Sequence, residues 1–267
     1  MSELPDPATF LSGERGEATG VRARLGDVVL DARLALGGAA RKLDRLDVPG
    51  REVLVTSVYR PKSERLAAEL PKLESAHHEV RFAFGSTGEE TVIGTVATNL
   101  GGGKFPNLNA VHAAAGAPEP DWTVIVDDDV TLPHRFLDRL VAACEHWELD
   151  LAQPAQTLRS HAAWPVTRRR GGQVVRQTRF VEIGPVTAMS RDVSRELMPF
   201  PALRYGWGLD AHWAAIAERR GWKLGVVDAL PVRHEHAAVA AAYSSQEAIE
   251  EARRFLAERP YVQNAGL

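Results

Sequence analysis

Short apolar runs alternate with amphipathic segments along most of the chain. Runs such as Val53–Val58 and Trp122–Val126 have the length and β-branched content of buried strands. The predicted strands are Val53–Val58, Val80–Phe84, Trp122–Val126, Leu149–Pro154, Val181–Met189 and Leu224–Val227. The predicted helices are Ser63–Leu73, Pro106–Ala115, Pro133–His146, Arg191–Leu197 and Leu209–Arg220. Helices that alternate with strands predict an α/β fold with a mostly parallel sheet, in which ligands bind beyond the carboxyl ends of the strands.

The segment before this pattern is a separate helical region. In residues 20–46, apolar side chains recur at three- and four-residue steps with arginine and aspartate between them, which predicts a helix. Gly37 and Gly38 are positions where it can kink or split. One interpretation docks this helix on the main domain or on a second subunit. The other interpretation is a peripheral membrane helix. The mixed charges on the polar face of the helix argue against this second interpretation.

Length and composition are those of an ordinary globular protein. The chain has 267 residues and a formal net charge of −3, which predicts one large domain or two small ones and disfavours a generally basic nucleic-acid binder. Cys144 is the only cysteine, which excludes an intramolecular disulfide and a cysteine-rich zinc site. The sequence has no apolar run of about 18 residues and no secretory signal, so we expect a cytoplasmic protein without a membrane span.

Three consecutive acids follow the strongest predicted strand. Asp127, Asp128 and Asp129 come directly after Trp122–Val126, so they converge at the carboxyl edge of the predicted sheet. Their mutual repulsion is costly unless a cation lies among them, and Mg²⁺ or Mn²⁺ prefers oxygen ligands. The alternative is a solvated acidic turn that caps the next helix.

Two motifs toward the C-terminus add to this candidate site. In Gly206-Trp207-Gly208-Leu209-Asp210, two glycines bracket an aromatic residue, so a backbone turn can pass close to a ligand. Asp210 lies in the first turn of a predicted helix, either as a simple helix-start residue or as a general base for a sugar-acceptor hydroxyl. His234 and His236 follow the last predicted strand, where an imidazole can complete a metal shell with the aspartates.

Two basic segments are candidate anion sites. The glycine-rich stretch 101–109 places Lys104 before a helix, where backbone N–H groups can bind phosphates, although it lacks the ending of a Walker motif. The arginine cluster, residues 168–170 with Arg176 and Arg179, can bind an anionic acceptor or a diphosphate. Both segments can also be solvated loops.

Together these features resemble the GT-A fold of nucleotide-sugar glycosyltransferases, in particular the family-2-like enzymes. Asp127-Asp128-Asp129 matches the Asp-x-Asp motif of that fold, and the opening strand with Thr56, Ser57 and Tyr59 resembles its nucleotide-binding start. The resemblance covers roughly residues 52–240. It therefore extends over most of the region in which strands and helices alternate.

The resemblance implies a metal-dependent glycosyltransferase that moves a sugar from a nucleotide-diphosphate sugar, expected to be a UDP- or GDP-sugar, to an acceptor hydroxyl. It implies that Mn²⁺ or Mg²⁺ is bound by Asp129 with His234 or His236, and that Asp210 is the base of an inverting reaction. Leu209 stands where the family carries an acid, which leaves a retaining reaction open. The other implied donor-binding and sugar-binding residues are Thr56, Tyr59, Lys104, Asp127, Asp128, Trp207 and Gly208.

On this basis we divide the chain into four parts: a flexible tail (1–18), an N-terminal helical segment (19–48), a GT-A catalytic domain (49–240) and a C-terminal helical tail (241–267). The expected partners are the nucleotide-sugar donor and an unidentified acceptor, and the N-terminal helix is a candidate homodimer element. No nucleic-acid partner is expected.

Other functions stay open at this point. A nucleotidyltransferase also uses acids and a metal on an α/β sheet, but the first strand–helix turn, residues 57–62, has no glycines. A non-enzymatic module could bind an anion or a nucleic acid through the arginine cluster. A relative of the glycosyltransferases could also bind sugar nucleotides without turnover.

Overall fold

The computed structural model describes residues 4–12, 21–61, 63–116, 119–160, 162–234 and 244–263. Within these ranges the strands are β1 (Glu52–Tyr59), β2 (Glu79–Ser86), β3 (Thr95–Ala97), β4 (Trp122–Val126), β5 (Val130–Thr131), β6 (Leu151–Gln156), β7 (Arg176–Thr178), β8 (Val186–Ser190) and β9 (Leu224–His234). The helices are α1 (Val21–Gly37), α2 (Ala39–Leu43), α3 (Glu64–Leu73), α4 (Lys104–Ala115), α5 (Phe136–His146), α6 (Arg191–Leu197), α7 (Leu209–Arg220) and α8 (Ser245–Leu256). The strands form one sheet in the order β3-β2-β1-β4-β8-β6-β9-β5, and β7 also pairs with β9.

Most strands of this sheet run in one direction. β1, β2, β3, β4, β6 and β9 share that direction, whereas β5, β7 and β8 run against it. The predicted α/β fold with a mostly parallel sheet is therefore confirmed. Because β1, β4, β6 and β9 end at the same edge of the sheet, the residues at and after their carboxyl ends can meet there.

Several predicted boundaries are wrong. The strand predicted at Leu224–Val227 continues to His234, so His234 ends β9 instead of lying in a loop after it. The strand predicted at Val181–Met189 begins only at Val186. β3, β5 and β7 were not predicted, because strands of two or three residues are too short to show a period.

The helix predicted over residues 20–46 is divided. Gly38 has a φ of 64°, in the left-handed region that favours glycine, and it separates α1 from α2. Both acids of α1 form contacts with the body of the protein: Asp27 accepts hydrogen bonds from the backbone of Leu158 and Arg159, and Asp31 pairs with Arg169. No helix in the described part of the chain is long and apolar enough to cross a bilayer.

Two large clusters of buried apolar side chains flank the sheet. One includes residues of α3 and α5, and the other includes residues of α4, α6, α7 and α8. Leu256 of α8 lies in the second cluster, so this helix packs on the same core as α7. Phe10, from the N-terminal segment, is also buried there and meets Tyr261 edge-on, with 6.4 Å between the ring centroids.

The arginine cluster is largely used in contacts within the protein. Arg176 is buried and its Nε donates to Asp228 at 2.5 Å. Arg169 is buried against Asp27 and Asp31, and Arg168 donates to the carbonyl oxygens of residues 158 and 162. Arg179 forms an exposed pair with Glu218. These contacts weigh against the cluster as an anion- or nucleic-acid-binding surface, because most of its charge is already neutralised.

Replacing Asp228 with alanine is expected to destabilise the fold by about 3–5 kcal/mol, because it leaves the buried Arg176 guanidinium without its carboxylate. Urea denaturation followed by circular dichroism measures this loss. The matched control is Glu218→Ala, which breaks the exposed pair with Arg179 and is expected to cost less than about 1 kcal/mol. Equal losses in the two variants would contradict the prediction.

Candidate functional site

Two carboxylates and one imidazole meet at the carboxyl edge of the sheet. Asp127 and Asp129 follow β4, and the next residue, Val130, pairs in antiparallel register with His234 at the end of β9. This pairing brings His234 Nε2 to 3.0 Å from Asp129 Oδ1. One ligand atom from each of Asp127, Asp129 and His234 lies within 4.8 Å of the others. We call these three residues the acidic cluster.

The donor set of the acidic cluster suits a divalent cation such as Mn²⁺ or Mg²⁺. Two carboxylates supply hard, anionic oxygen ligands, and imidazole is a common ligand for first-row divalent ions. The three groups come from two adjoining strand ends, so a single ion can reach all of them. His236 lies outside the described residues, so of the two predicted histidines only His234 can be placed in the cluster.

The middle aspartate of the triplet has a different partner. Asp128 is buried, and its carboxylate accepts hydrogen bonds from Arg60 Nε at 3.1 Å, Arg60 Nη2 at 2.8 Å and the Arg60 backbone N–H at 2.9 Å. Arg60 Nη2 also lies 3.3 Å from Asp129 Oδ2. Asp128 thus holds Arg60 in place, and its role as a nucleotide ligand stays a prediction.

Sequence reasoning assigned no role to Arg60. Arg60 directly follows β1, and β1 is the parallel neighbour of β4, so its side chain reaches the acids that follow β4. A signal was present in the sequence, since a cation after one strand and acids after another converge whenever the two strands are parallel neighbours. Only the strand order, which the sequence did not reveal, shows that β1 and β4 are neighbours.

Lys104 lies on the other side of the acidic cluster. It begins α4, and its Nζ lies 2.6 Å from Asp127 Oδ1 and donates to the carbonyl oxygen of Ile183 at 3.0 Å. Gly103 precedes it with a φ of 87°, and a Cβ there would lie 2.7 Å from the carbonyl oxygen of Arg204. The glycine-rich stretch thus lets the start of α4 approach residue 204 closely.

A cleft of about 560 Å³ opens beside the acidic cluster. Its lining includes the three aspartates, His234 and three basic residues, Arg60, Lys104 and Arg204. Apolar residues such as Val58, Leu100 and Leu108 line the rest of it. A cleft lined both by cations with a metal-type donor set and by apolar side chains suits a ligand that has an anionic part and a flat or apolar part.

The two predicted nucleotide-binding residues of β1 occupy different positions. Tyr59 lines the cleft, but its hydroxyl donates to the carbonyl oxygen of Glu90 at 2.9 Å and contacts Thr95 Oγ1 at 2.8 Å. It therefore fixes the segment between β2 and β3. Thr56 is buried within β1 and is not among the residues that line the cleft.

Asp210 lies in the first turn of α7 and is only 7% exposed. Burial, with a smaller contribution from the nearby charge of Glu182, raises the pKa of Asp210 to about 7. The Asp210 carboxylate accepts a hydrogen bond from the backbone N–H of Ala211 at 2.9 Å and another from the Trp164 side chain, and these bonds oppose the rise in pKa. Asp210 is therefore a carboxyl group that titrates near neutral pH.

Glu182 is a half-buried carboxylate near Asp210 that the sequence analysis did not assign to the site. It accepts hydrogen bonds from Gln156 Nε2 at 2.9 Å, Thr167 Oγ1 at 3.0 Å and the backbone N–H of Ala163 at 3.0 Å. Burial raises the pKa of Glu182, while these bonds and the charge of His234 lower it. The charge of Glu182 thus interacts both with Asp210 and with His234 of the acidic cluster.

The glycines beside Trp207 are explained by packing. A Cβ at Gly206 would lie 2.1 Å from Phe105 Cε2, and a Cβ at Gly208 would lie 2.9 Å from Leu256 Cδ1. Both glycines also have a positive φ. The turn is thus packed closely against α4 and α8, which accounts for both glycines, and a sugar contact by Trp207 or Gly208 stays a prediction. Trp207 is half-buried and packs against the second apolar cluster.

Comparison with protein-family models finds no match, and comparison with curated proteins finds none either. Solved structures do match. A mannosyltransferase from Pyrobaculum calidifontis, in complex with GDP-Man and Mn²⁺, is 16% identical over 74% of this chain and 64% of its own, with a TM-score of 0.46. TarS 1–349 from S. aureus, in complex with UDP-GlcNAc, is 14% identical over 77% of this chain and 65% of its own, with a TM-score of 0.49.

A third match extends over nearly the whole chain. GalNAc-T7, solved with UDP, GalNAc and Mn²⁺, is 13% identical over 94% of this chain and 60% of its own, with a TM-score of 0.52. This likeness shows the fold, so the GT-A fold that the sequence resembled is confirmed. The chain spans 60–65% of the length of the three structures that it matches.

Proposed function

We propose that this protein is a metal-dependent glycosyltransferase that moves a sugar from a nucleotide-diphosphate sugar to an acceptor hydroxyl. The observation that carries the proposal is the acidic cluster of Asp127, Asp129 and His234 beside a cleft lined by Arg60, Lys104 and Arg204. A GT-A sheet places this cluster at the edge where α/β sheets bind ligands. The comparison proteins that were solved with nucleotide sugars, nucleotides or Mn²⁺ support the same function.

In this proposal Asp127, Asp129 and His234 hold Mn²⁺ or Mg²⁺. When bound, the ion would neutralise charge on the diphosphate as it leaves. Arg60 contacts Asp129 and Lys104 contacts Asp127, so both cations lie beside the cluster and can donate to phosphate oxygens. The apolar part of the cleft would take the nucleoside, with UDP and GDP as the first candidates.

Asp210 is the proposed catalytic base. A base with a pKa of about 7 is matched to proton transfer at neutral pH. Asp210 would take the proton of the acceptor hydroxyl, the acceptor oxygen would form the new bond to the anomeric carbon, and the bond from that carbon to the diphosphate would break. Such a single displacement inverts the anomeric configuration. Trp207, half-buried two residues before the start of α7, is proposed to contact the sugar.

The proposal is tested by calorimetric titration of UDP, GDP, dTDP and CDP into the full chain, each with Mn²⁺ and with EDTA. We expect one nucleotide to bind in the presence of Mn²⁺ and to lose that binding in EDTA. The nucleotide that binds defines the donor sugars for assays of nucleoside diphosphate release. Absence of binding by every nucleotide would contradict the proposed function.

Replacing Lys104 with alanine is expected to weaken binding of that nucleoside diphosphate about tenfold, because one charged donor to the diphosphate is lost. The control is Lys223→Ala, which removes an exposed lysine that pairs with Glu148 away from the cleft. The same titration measures both variants. If Lys104→Ala and Lys223→Ala bind the nucleotide equally well, Lys104 does not contact the diphosphate.

A further inference from the structure

α1 presents an apolar surface to the outside of the protein. Among the described residues, eight large apolar side chains are exposed, and five of them lie on this one helix. They are Val21, Leu25, Val28, Val29 and Leu36, with exposures between 50% and 86%. Their spacing places them on one side of the helix, as a continuous stripe. Exposed apolar side chains that cluster in this way mark an interaction surface.

An ordinary surface helix buries its apolar side and exposes its charges, whereas α1 also carries apolar side chains on its outer side, in addition to Leu34, which packs on the first apolar cluster. Here the acids face the body of the protein. Asp27 is buried and accepts hydrogen bonds from the backbone N–H groups of Leu158 at 2.8 Å and Arg159 at 3.1 Å. The Asp31 side chain is 60% exposed, but its carboxylate lies 2.6 Å from the buried Arg169 guanidinium. A Cβ at Gly26 would lie 2.6 Å from Leu158 Cδ1, which confirms that this side of the helix is the docked side.

The charges that remain on the outside of α1 are positive. Arg22, Arg24 and Arg33 are exposed, and exposed Arg41 and Lys42 follow on α2. Both acids of α1 are thus paired with basic side chains of the rest of the protein, although Asp31 stays exposed, and the arginines of the helix are exposed as well. This pairing weakens the argument against a membrane helix, which rested on the mixed charges of the polar face.

We propose that the outer side of α1, which we call the stripe face, binds the surface of a bilayer that contains anionic lipid. An apolar stripe flanked by arginines is the combination by which interfacial helices bind such membranes. A second copy of this chain fits less well, because a symmetric contact through the stripe face would bring the arginines of the two copies together with no exposed, unpaired acid on either helix.

The inner side of α1 lies near the edge of the sheet that carries the acidic cluster. The backbone N–H of Leu158 donates to Asp27. Two residues later, the Oγ of Ser160 accepts a hydrogen bond from the backbone N–H of His234 at 3.0 Å. One short loop therefore supports both α1 and the end of β9. The proposal for the stripe face does not depend on the proposed function.

The test is flotation of the full chain with vesicles of phosphatidylcholine alone and with vesicles that also contain about one third phosphatidylglycerol. We expect binding to the anionic vesicles only, and loss of most of it when salt is raised to about 0.5 M. Two variants separate the contributions: Leu25→Ser with Leu36→Ser removes apolar contact, and Arg22→Glu with Arg24→Glu reverses charge. Each is expected to weaken vesicle binding at least about tenfold.

The matched control is Ile93→Ser, which changes an exposed apolar residue outside α1 and is expected to bind vesicles like the unchanged protein. All the substituted side chains are exposed, so the variants keep the fold, and circular dichroism checks this. Failure to bind vesicles of either composition would overturn the proposal. Vesicle binding that the α1 variants do not change would also overturn it. A protein that does not bind vesicles, but forms a concentration-dependent dimer in analytical ultracentrifugation that Leu25→Ser with Leu36→Ser abolishes, would overturn it as well.

Discussion

Replacing Asp129 with alanine is expected to abolish metal-dependent nucleotide binding, with a loss of affinity of at least about 100-fold in Mn²⁺. Asp129 contributes one of the two carboxylates of the acidic cluster, and its other oxygen lies 3.3 Å from Arg60. The variant therefore removes a metal ligand and also loosens a cation that faces the cleft. His234→Ala is expected to lower the affinity in the same direction, since His234 is the third member of the cluster.

Calorimetry with Mn²⁺ and with EDTA measures this loss for each variant. The matched control is Asp192→Ala, which removes a carboxylate on α6 that is well outside the cleft. In EDTA all of these proteins are expected to bind the nucleotide equally weakly. An Asp129→Ala protein that keeps its affinity in Mn²⁺ within about twofold would exclude the acidic cluster as the metal site.

Replacing Asp210 with asparagine is expected to leave nucleotide binding intact and to lower turnover by about 10²–10⁴-fold, the usual contribution of a general base. The side chain keeps its size and loses only its capacity to take a proton. In the unchanged protein, turnover is expected to rise with pH through about 7 as Asp210 loses its proton. The variant should lack this rise. Turnover by Asp210→Asn that equals that of the unchanged protein would exclude Asp210 as the base.

The raised pKa of Asp210 also predicts how stability depends on pH. Below the ordinary aspartate pKa of 3.8 both the folded and the unfolded protein hold the proton, and above about 7 neither does. Between these values only the folded protein keeps it, so the free energy of unfolding falls as pH rises, by on the order of 4 kcal/mol in total. Asp210→Asn removes this dependence. Urea denaturation should therefore show that its stability relative to the unchanged protein increases from pH 4 to pH 8.

Much of the sheet could be predicted from the sequence, because its long strands are buried on both faces. β1 and β4 are nearly continuous apolar runs, and the sequence placed both within a few residues. β9 was predicted too short. Pro231 looks like a strand end in sequence, yet it is tolerated here, so the strand continues to His234.

The candidate site could be predicted in part, and the limit is the order of the strands. The acids after β4 and the histidine at the end of β9 were identified one by one, because each stands beside an apolar run. Glu182 was not, since its position beside Asp210 depends on the segment before β8, which runs against its neighbours. Arg60 was missed for the related reason that its partners follow a different strand. Residues that act together across strands show no common pattern in the sequence.

The backbone pairing of Val130 with His234 has a consequence for how the acidic cluster responds to its ion. Hydrogen bonds between β5 and β9 hold Val130, the residue after Asp129, in register with His234. The conformational entropy that is lost when these ligands are brought together is therefore lost when the sheet folds, and not when the metal binds. Small zinc domains behave in the opposite way, since they unfold when the metal is withdrawn. Here a chelator should empty the cluster without melting the protein, and Mn²⁺ and Mg²⁺ should exchange on a preformed scaffold.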